Sequence, residues 1–153
     1  MAQLHKLGFE TEIKCSADKF FGMFSHNITQ LPKCVPNIYK SVEVIQGDET
    51  SIGSIKLWKY DVEGREMIVK EKVTAFDKEK RSITHEMVEG ELANYYKAIA
   101  VKLDVVPKQG AAGTASLVTW SLEFEKVNED IPNPTAYIDA LKLTTMEVSS
   151  QLC

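Results

Sequence analysis

Met67-Ile68-Val69-Lys70-Glu71-Lys72-Val73 and Ser82-Ile83-Thr84-His85-Glu86-Met87-Val88 flank the turn material Asp77 to Lys80. Side chains at every second position share a face in each stretch, which is the period-two pattern of a strand with one side buried. So short a connection makes the two strands antiparallel neighbours, because a parallel crossover needs a dozen or more residues. The pattern continues on both sides. Val42/Val44 and Ile55/Leu57 mark strands before it, and Ala98 to Val106 and Leu117 to Phe124 mark strands after it. Gly47 to Gly53, Glu63-Gly64, Gly90 and Pro107 to Gly113 supply the turns between them. The same argument makes all six antiparallel.

The two ends of the chain read differently. Gly8 to Ile13 alternates Phe9, Thr11 and Ile13 with Glu10 and Glu12, which predicts a first strand. Ser16 is a predicted N-cap, Asp18 suits the positive end of a helix, and Phe20, Phe21 and Phe24 give a short helix ending near His26 its apolar face. A second helical turn is predicted within Ile28 to Lys33, before Pro32 and Pro36 break the pattern. Asn133-Pro134 predicts a cap with Pro at the first helical position, opening a long last helix with Tyr137, Leu141, Val148 and Leu152 on one face. Seven strands and one long helix bury their apolar faces together as an α+β fold, a curved antiparallel sheet wrapped round the C-terminal helix. Residues 1–153 are read as one domain, without repeat, linker or low-complexity segment.

Composition narrows the function. With 44 % hydrophobic and 26 % charged residues, 153 residues suffice for one core without staples. No apolar run approaches the ~20 residues of a membrane span, and the N-terminus lacks the apolar stretch of a secretory signal, so no membrane partner is expected and the chain is read as cytosolic. Cys15, Cys34 and Cys153 are then expected to be reduced thiols. A net charge of −4 argues against nucleic acid as a partner. No metal-ligand spacing or Gly-x-Ser-x-Gly elbow is present. Gly47 to Gly53 lacks Gly-Lys-Ser/Thr and carries two acids, so it is read as a flexible lip and not as a phosphate loop.

The element order resembles the birch-pollen-allergen fold, a helix-grip architecture. Met1-Ala2-Gln3-Leu4-His5-Lys6-Leu7, Ile52-Gly53-Ser54-Ile55-Lys56-Leu57-Trp58, Val88-Glu89-Gly90, Tyr96-Lys97 and Glu125 to Pro134 are similar to its major-latex-protein branch. The resemblance covers essentially the whole chain. It implies an internal cavity between sheet and helix for a small apolar plant metabolite. It also implies no cofactor, a monomer or weak dimer, and other enzymes of one pathway as partners. Family members include binders linked to defence and development, and a few enzymes that condense, cyclise or isomerise alkaloid or terpenoid intermediates. Fold alone does not choose between these roles.

Strand parity places Met67, Val69, Glu71 and Val73 on one inward face, and Ile83, His85 and Met87 on another. An odd loop, Lys78-Glu79-Lys80, would keep Glu71 and His85 on the same side of the hairpin, within reach of a common ligand as an acid/base pair. Glu71 matches an acidic residue important in norcoclaurine synthase, and His85 a histidine implicated in the poppy enzyme that forms thebaine. The positions of the former's tyrosine, lysine and aspartate hold Val69, Ile83 and Val101, which argues against amine–aldehyde condensation. The structural alternatives are a half-buried His85 bonded to backbone or water, and a Glu71 turned by a bulge toward Lys70 or Lys72. Trp58, Tyr60, Ile99, Val101, Val118, Trp120, Tyr137 and Leu141 are expected around a ligand, and Lys97 either in the cavity or at its rim. Two functions remain: a cofactor-independent cyclase or isomerase with His85 moving protons and Glu71 assisting, and a non-catalytic carrier. Ribonuclease chemistry is disfavoured by the acidic loop and the net charge.

Overall fold

The structure, a computed structural model, describes residues 4–110 and 113–153. Met1 to Gln3 of the first quoted motif, and Ala111 and Ala112 of the last predicted turn, lie outside the described residues. The strands are β1 (Leu4–Ile13), β2 (Tyr39–Gln46), β3 (Ile55–Val62), β4 (Arg65–Asp77), β5 (Ser82–Gly90), β6 (Tyr96–Pro107) and β7 (Ser116–Lys126). The helices are α1 (Ala17–Phe24), α2 (Leu31–Cys34) and α3 (Thr135–Leu152), with a 3-10 turn at Ile28–Gln30 and another at Glu91–Asn94. One antiparallel sheet holds all seven strands in the order β1-β7-β6-β5-β4-β3-β2. Neighbours in sequence are therefore neighbours in space except at β1, which the α1–α2 segment carries to the far edge beside β7.

Local chemistry accounts for the ends of these elements. Ser16 caps α1 by accepting from the Lys19 N–H at 3.2 Å, and Asp18 in its first turn pairs with Arg81 at 2.8 Å. α1 stops at Phe24, two residues before the expected end, where the Ser25 hydroxyl turns back to the Phe21 carbonyl. The β3–β4 hairpin turns on Glu63 and Gly64 alone, both with positive φ, as a two-residue turn matched to strand twist requires. α3 starts one residue late. Pro134 occupies the cap position with no side-chain bond, and the predicted cap Asn133 offers only its carbonyl to Thr135 N.

The concave face of the sheet packs on α1, α2 and α3, and this is where the core lies. Phe20, Phe24, Leu31, Val105, Val118, Phe124 and Val148 are all but sealed from solvent, each contributing roughly 1.5–3 kcal/mol by burial. Hydrogen bonds fix α3 against the sheet: Trp120 Nε1 donates to Thr145 Oγ1 at 2.9 Å, and Tyr39 and Thr144 hydroxyls meet at 3.1 Å. Both threonines also donate to carbonyls one turn back, Ala140 and Leu141. At the other end of the helix, Gln151 Nε2 reaches the Cys34 carbonyl at 2.6 Å.

The cysteines depart from expectation. Cys15 and Cys153 form a disulfide across a Cα separation of 5.4 Å, while Cys34 stays a buried thiol. Their 138-residue separation hid the pairing. It exists because α3 runs back along the molecule to end beside the start of α1.

Candidate binding and proton-transfer site

Between sheet and helix the core is incompletely filled, leaving a cavity of about 100 Å³. Trp58 and Tyr60 from β3, Ile83 from β5, Ile99 and Val101 from β6, Trp120 from β7 and Tyr137 and Leu141 from α3 stand on its wall. So do Glu71 and His85. Met67, Val69 and Val118 are buried but packed into the solid core, and Met87 is half-buried away from the wall. Lys97 is exposed, neither in the cavity nor on its wall: the β6–β7 register jumps from Tyr96 to Ala98, and the skipped lysine turns to solvent. The wall contributions of Phe24, Ile28, Leu31 and Leu92 come from helices and helical turns, where strand parity carries no information.

The β4–β5 hairpin brings Glu71 and His85 together by a route the sequence did not announce. Asp77 pairs with Ser82, so the turn has four residues, Lys78 to Arg81, and not three. Alone, that even turn would put His85 opposite Thr74 and on the other face from Glu71. A bulge at Thr74 restores the match, and Val73 pairs with His85 and Glu71 with Met87. Glu71 and His85 are thus diagonal neighbours on the inner face. A second shift in the β4–β5 register, between Lys70 and Glu71, is taken up on β5 at Val88, while β4 keeps a continuous register with β3 from Arg65 to Lys72. Glu71 therefore stays on the inner face and is not turned toward Lys70, which pairs with Glu89 at 2.6 Å.

A third charged residue was missed. Lys56 lies directly opposite Glu71 across β3 and β4, and its side chain is 0 % exposed. The signal was present, since the parity that turned Trp58 and Tyr60 inward does the same for Lys56. Its Nζ donates to the Glu49 carbonyl at 2.6 Å and lies 3.2 Å from His85 Nε2. The loop before β3 is therefore tied inward through Glu49, while Asp48 orders its outer side by accepting from the Thr50 and Ser51 N–H groups.

Burial sets the protonation of all three. Desolvation pushes Glu71 up to about 7 against the lowering effect of the Lys56 charge. Lys56 is brought down to about 8 by desolvation, opposed by the charges of Glu71, Glu49 and Asp48. His85 falls to about 3, through desolvation first and Lys56 second. The imidazole is neutral throughout the physiological range, against the expectation of an ordinary titrating histidine. Among the described residues the Glu71 carboxyl has no hydrogen bond or ion pair, and what surface it retains opens on the cavity. The Tyr60 and Tyr137 hydroxyls bond each other at 2.8 Å, closing the wall beside it.

A wider cleft of about 350 Å³ adjoins the cavity, sharing Ile38, Val62 and Ala140 with its wall. Asp61, Glu63 and Asp139 stand around it, Asp61 within 3.4 Å of the Lys40 ammonium. Among the described residues no three His, Cys, Asp or Glu side chains group as metal ligands, and no helix is long and apolar enough to cross a membrane.

Comparison with known proteins agrees with this architecture. The chain is 39 % identical over 148 residues to Major latex protein 146 of Papaver somniferum, covering 97 % of this chain and 91 % of that one. It is 38 % identical to MLP-like protein 43 of Arabidopsis thaliana over 147 residues, covering 96 % and 92 %. The crystal structure of ginseng major latex-like protein 151 from Panax ginseng superposes with a TM-score of 0.92 at 32 % identity, covering 98 % of both chains. Norcoclaurine synthase from Thalictrum flavum shares the fold, with a TM-score of 0.79 at 23 % identity over 99 % of this chain and 87 % of that one. Residues 2–153 match the pathogenesis-related protein Bet v 1 family, and with its sheet wrapped round α3 and its major latex relatives the chain belongs to that family, in the major latex protein-like branch.

Proposed function

We propose that the protein binds a small apolar plant metabolite in its cavity and the cleft that adjoins it, and acts on it as a cofactor-independent isomerase or cyclase, the guest being a reactive intermediate of terpenoid or alkaloid size. One observation carries the reading: a carboxyl group without a hydrogen-bond partner among the described residues, held near neutral pKa by burial, opens on a largely apolar cavity. A carboxyl poised there can both accept and return a proton at neutral pH, which is the requirement for general acid–base catalysis. Glu71 takes a proton from one carbon of the guest and delivers it to another atom of the same molecule. Product and substrate are isomers, and no cofactor is consumed. His85, neutral, serves as a hydrogen-bonding group beside it. The acid/base assignment thus moves from His85 to Glu71.

Both tryptophans of the chain, Trp58 and Trp120, stand on the cavity wall, so intrinsic fluorescence reports its occupancy. The test titrates terpenoid- and alkaloid-sized compounds against this signal, then compares the products of each binder with wild type, Glu71→Gln and no protein. Conversion by wild type that falls 10²–10⁴-fold in Glu71→Gln, with affinity little changed, supports the enzyme. Equal products in all three samples for every binder remove the enzyme and leave the carrier, a function that the largely apolar wall serves without any carboxyl.

A further inference from the structure

Lys56 constrains His85 through elementary hydrogen-bond chemistry. An ammonium group has three donors and no acceptor. At 3.2 Å from Lys56 Nζ, His85 Nε2 must therefore receive the hydrogen bond and cannot itself carry a proton. A neutral imidazole has one N–H, so the proton resides on Nδ1. Lys56 is completely buried and absent from the cavity wall, whereas His85 is on the wall. Nδ1 has no partner among the described residues, yet it is not sealed off as Trp58 Nε1 is. The ring accordingly offers the cavity an N–H donor.

A positive charge already stands behind this donor. Lys56 brings one positive charge and Glu71 one ionisable carboxyl, directly opposite each other across β3 and β4. A cationic guest would leave a second positive charge uncompensated in a low-dielectric enclosure, whereas a neutral oxygen acceptor adds none. From this geometry we propose that the cavity selects guests carrying a neutral carbonyl oxygen, a ketone or aldehyde on an apolar skeleton, received by His85 Nδ1–H, with Lys56 as the residue that positions the imidazole by fixing its tautomer. The proposal rests on the cavity being the ligand site. It names the chemistry by which that site tells one apolar skeleton from another, and it sets Glu71 beside a carbonyl, where neighbouring C–H bonds are acidified.

The test uses the wild-type protein and three probes on one skeleton: tetralin, 1-tetralone and 1-aminotetralin, the last protonated at neutral pH. Affinities are read at pH 7 from tryptophan fluorescence and calorimetry, and the His85 tautomer from two-bond ¹H–¹⁵N correlations. We expect a His85 signature of protonated Nδ1 and bare Nε2, and 1-tetralone bound at least about tenfold more tightly than either other probe, the scale of one well-made hydrogen bond. In Lys56→Met the signature shifts toward protonated Nε2 and the preference for 1-tetralone falls below about threefold. A protonated Nε2 in the wild type, or tetralin or 1-aminotetralin binding as tightly as 1-tetralone, overturns the carbonyl inference while leaving the cavity reading intact. No binding of any probe overturns both. Retention of the Nδ1 tautomer in Lys56→Met overturns the positioning role of Lys56.

Discussion

At the scale of single residues, one enclosure shifts three titratable groups in directions that oppose one another with pH. His85, lowered to about 3, binds its proton more weakly in the fold than in the unfolded chain. Its contribution to stability is intact above about 6.5 and is lost as pH falls toward 3. Glu71, raised to about 7, behaves inversely: the fold favours its protonated form, a contribution present below about 4.5 and lost as pH rises through 7. Between pH 4.5 and 6.5 the two oppose and largely cancel. Below pH 4.5 His85 acts alone, and from 6.5 to 7 Glu71 does. Urea denaturation should therefore show an acid limb between pH 3 and 4.5 that is shallower in His85→Gln, the remainder coming from Asp18 and Asp48, whose carboxyls are held below their ordinary range by Arg81 and by the Ser51 and Thr50 N–H groups. Glu71→Gln should gain stability relative to wild type by about 3 kcal/mol on passing from pH 4.5 to pH 8. A difference between Glu71→Gln and wild type that stays flat with pH would mean that Glu71 ionises freely in the fold. The His85 shift was not legible in sequence, because an alternating pattern gives the face of a residue and not the depth of its desolvation. Lys56 was legible by parity and passed over, since lysine on an inner face conflicts with the habit of charged residues to stay in water.

At the scale of elements, pairing of alternating strands was readable and the breaks in alternation were not. Period two from Met67 to Val73 and from Ser82 to Val88 correctly assigned Glu71 and His85 to the inner face. The stated reason failed, because an even turn and the bulge at Thr74 offset each other. Bulges respond to sheet curvature, a property of neighbouring strands that one strand's sequence does not carry. The break at Lys97 had the opposite effect and turned to solvent a residue expected in the cavity or at its rim. For α3 the apolar stripe of Tyr137, Leu141 and Val148 was visible, whereas the polar latch of Thr144 and Thr145 was not. Their hydroxyls are satisfied by the helix itself and by Tyr39 and Trp120. Thr145→Val should strand the buried Trp120 N–H and cost about 1–3 kcal/mol. Thermal unfolding measures the loss, and Trp120 emission should change with it. An unaltered Tm would show that Trp120 finds another acceptor.

At the scale of the whole molecule, strand count, antiparallel order and the long closing helix followed from turn spacing and hydrophobic period, because those signals are local and repeated. The disulfide did not, since nothing local in Cys15 or Cys153 says where the other lies. Reduction should lower stability by about 2–5 kcal/mol, as expected for removing a constraint on a very long loop. Thermal melts with and without reductant measure this, and Cys15→Ser should melt like the reduced wild type and be indifferent to reductant. Since the bond joins residues 15 and 153, all strands but β1 and every helix belong to one covalent ring. A single cut in that ring, for example at the exposed Glu63-Gly64 turn, opens the circle without dividing the molecule. Both pieces still travel together on a non-reducing gel and separate only when the thiols are freed. Proteolytic damage to one loop thus makes a nicked circle, and new chain ends are tolerable wherever the ring crosses the surface, in the manner of a circular permutant.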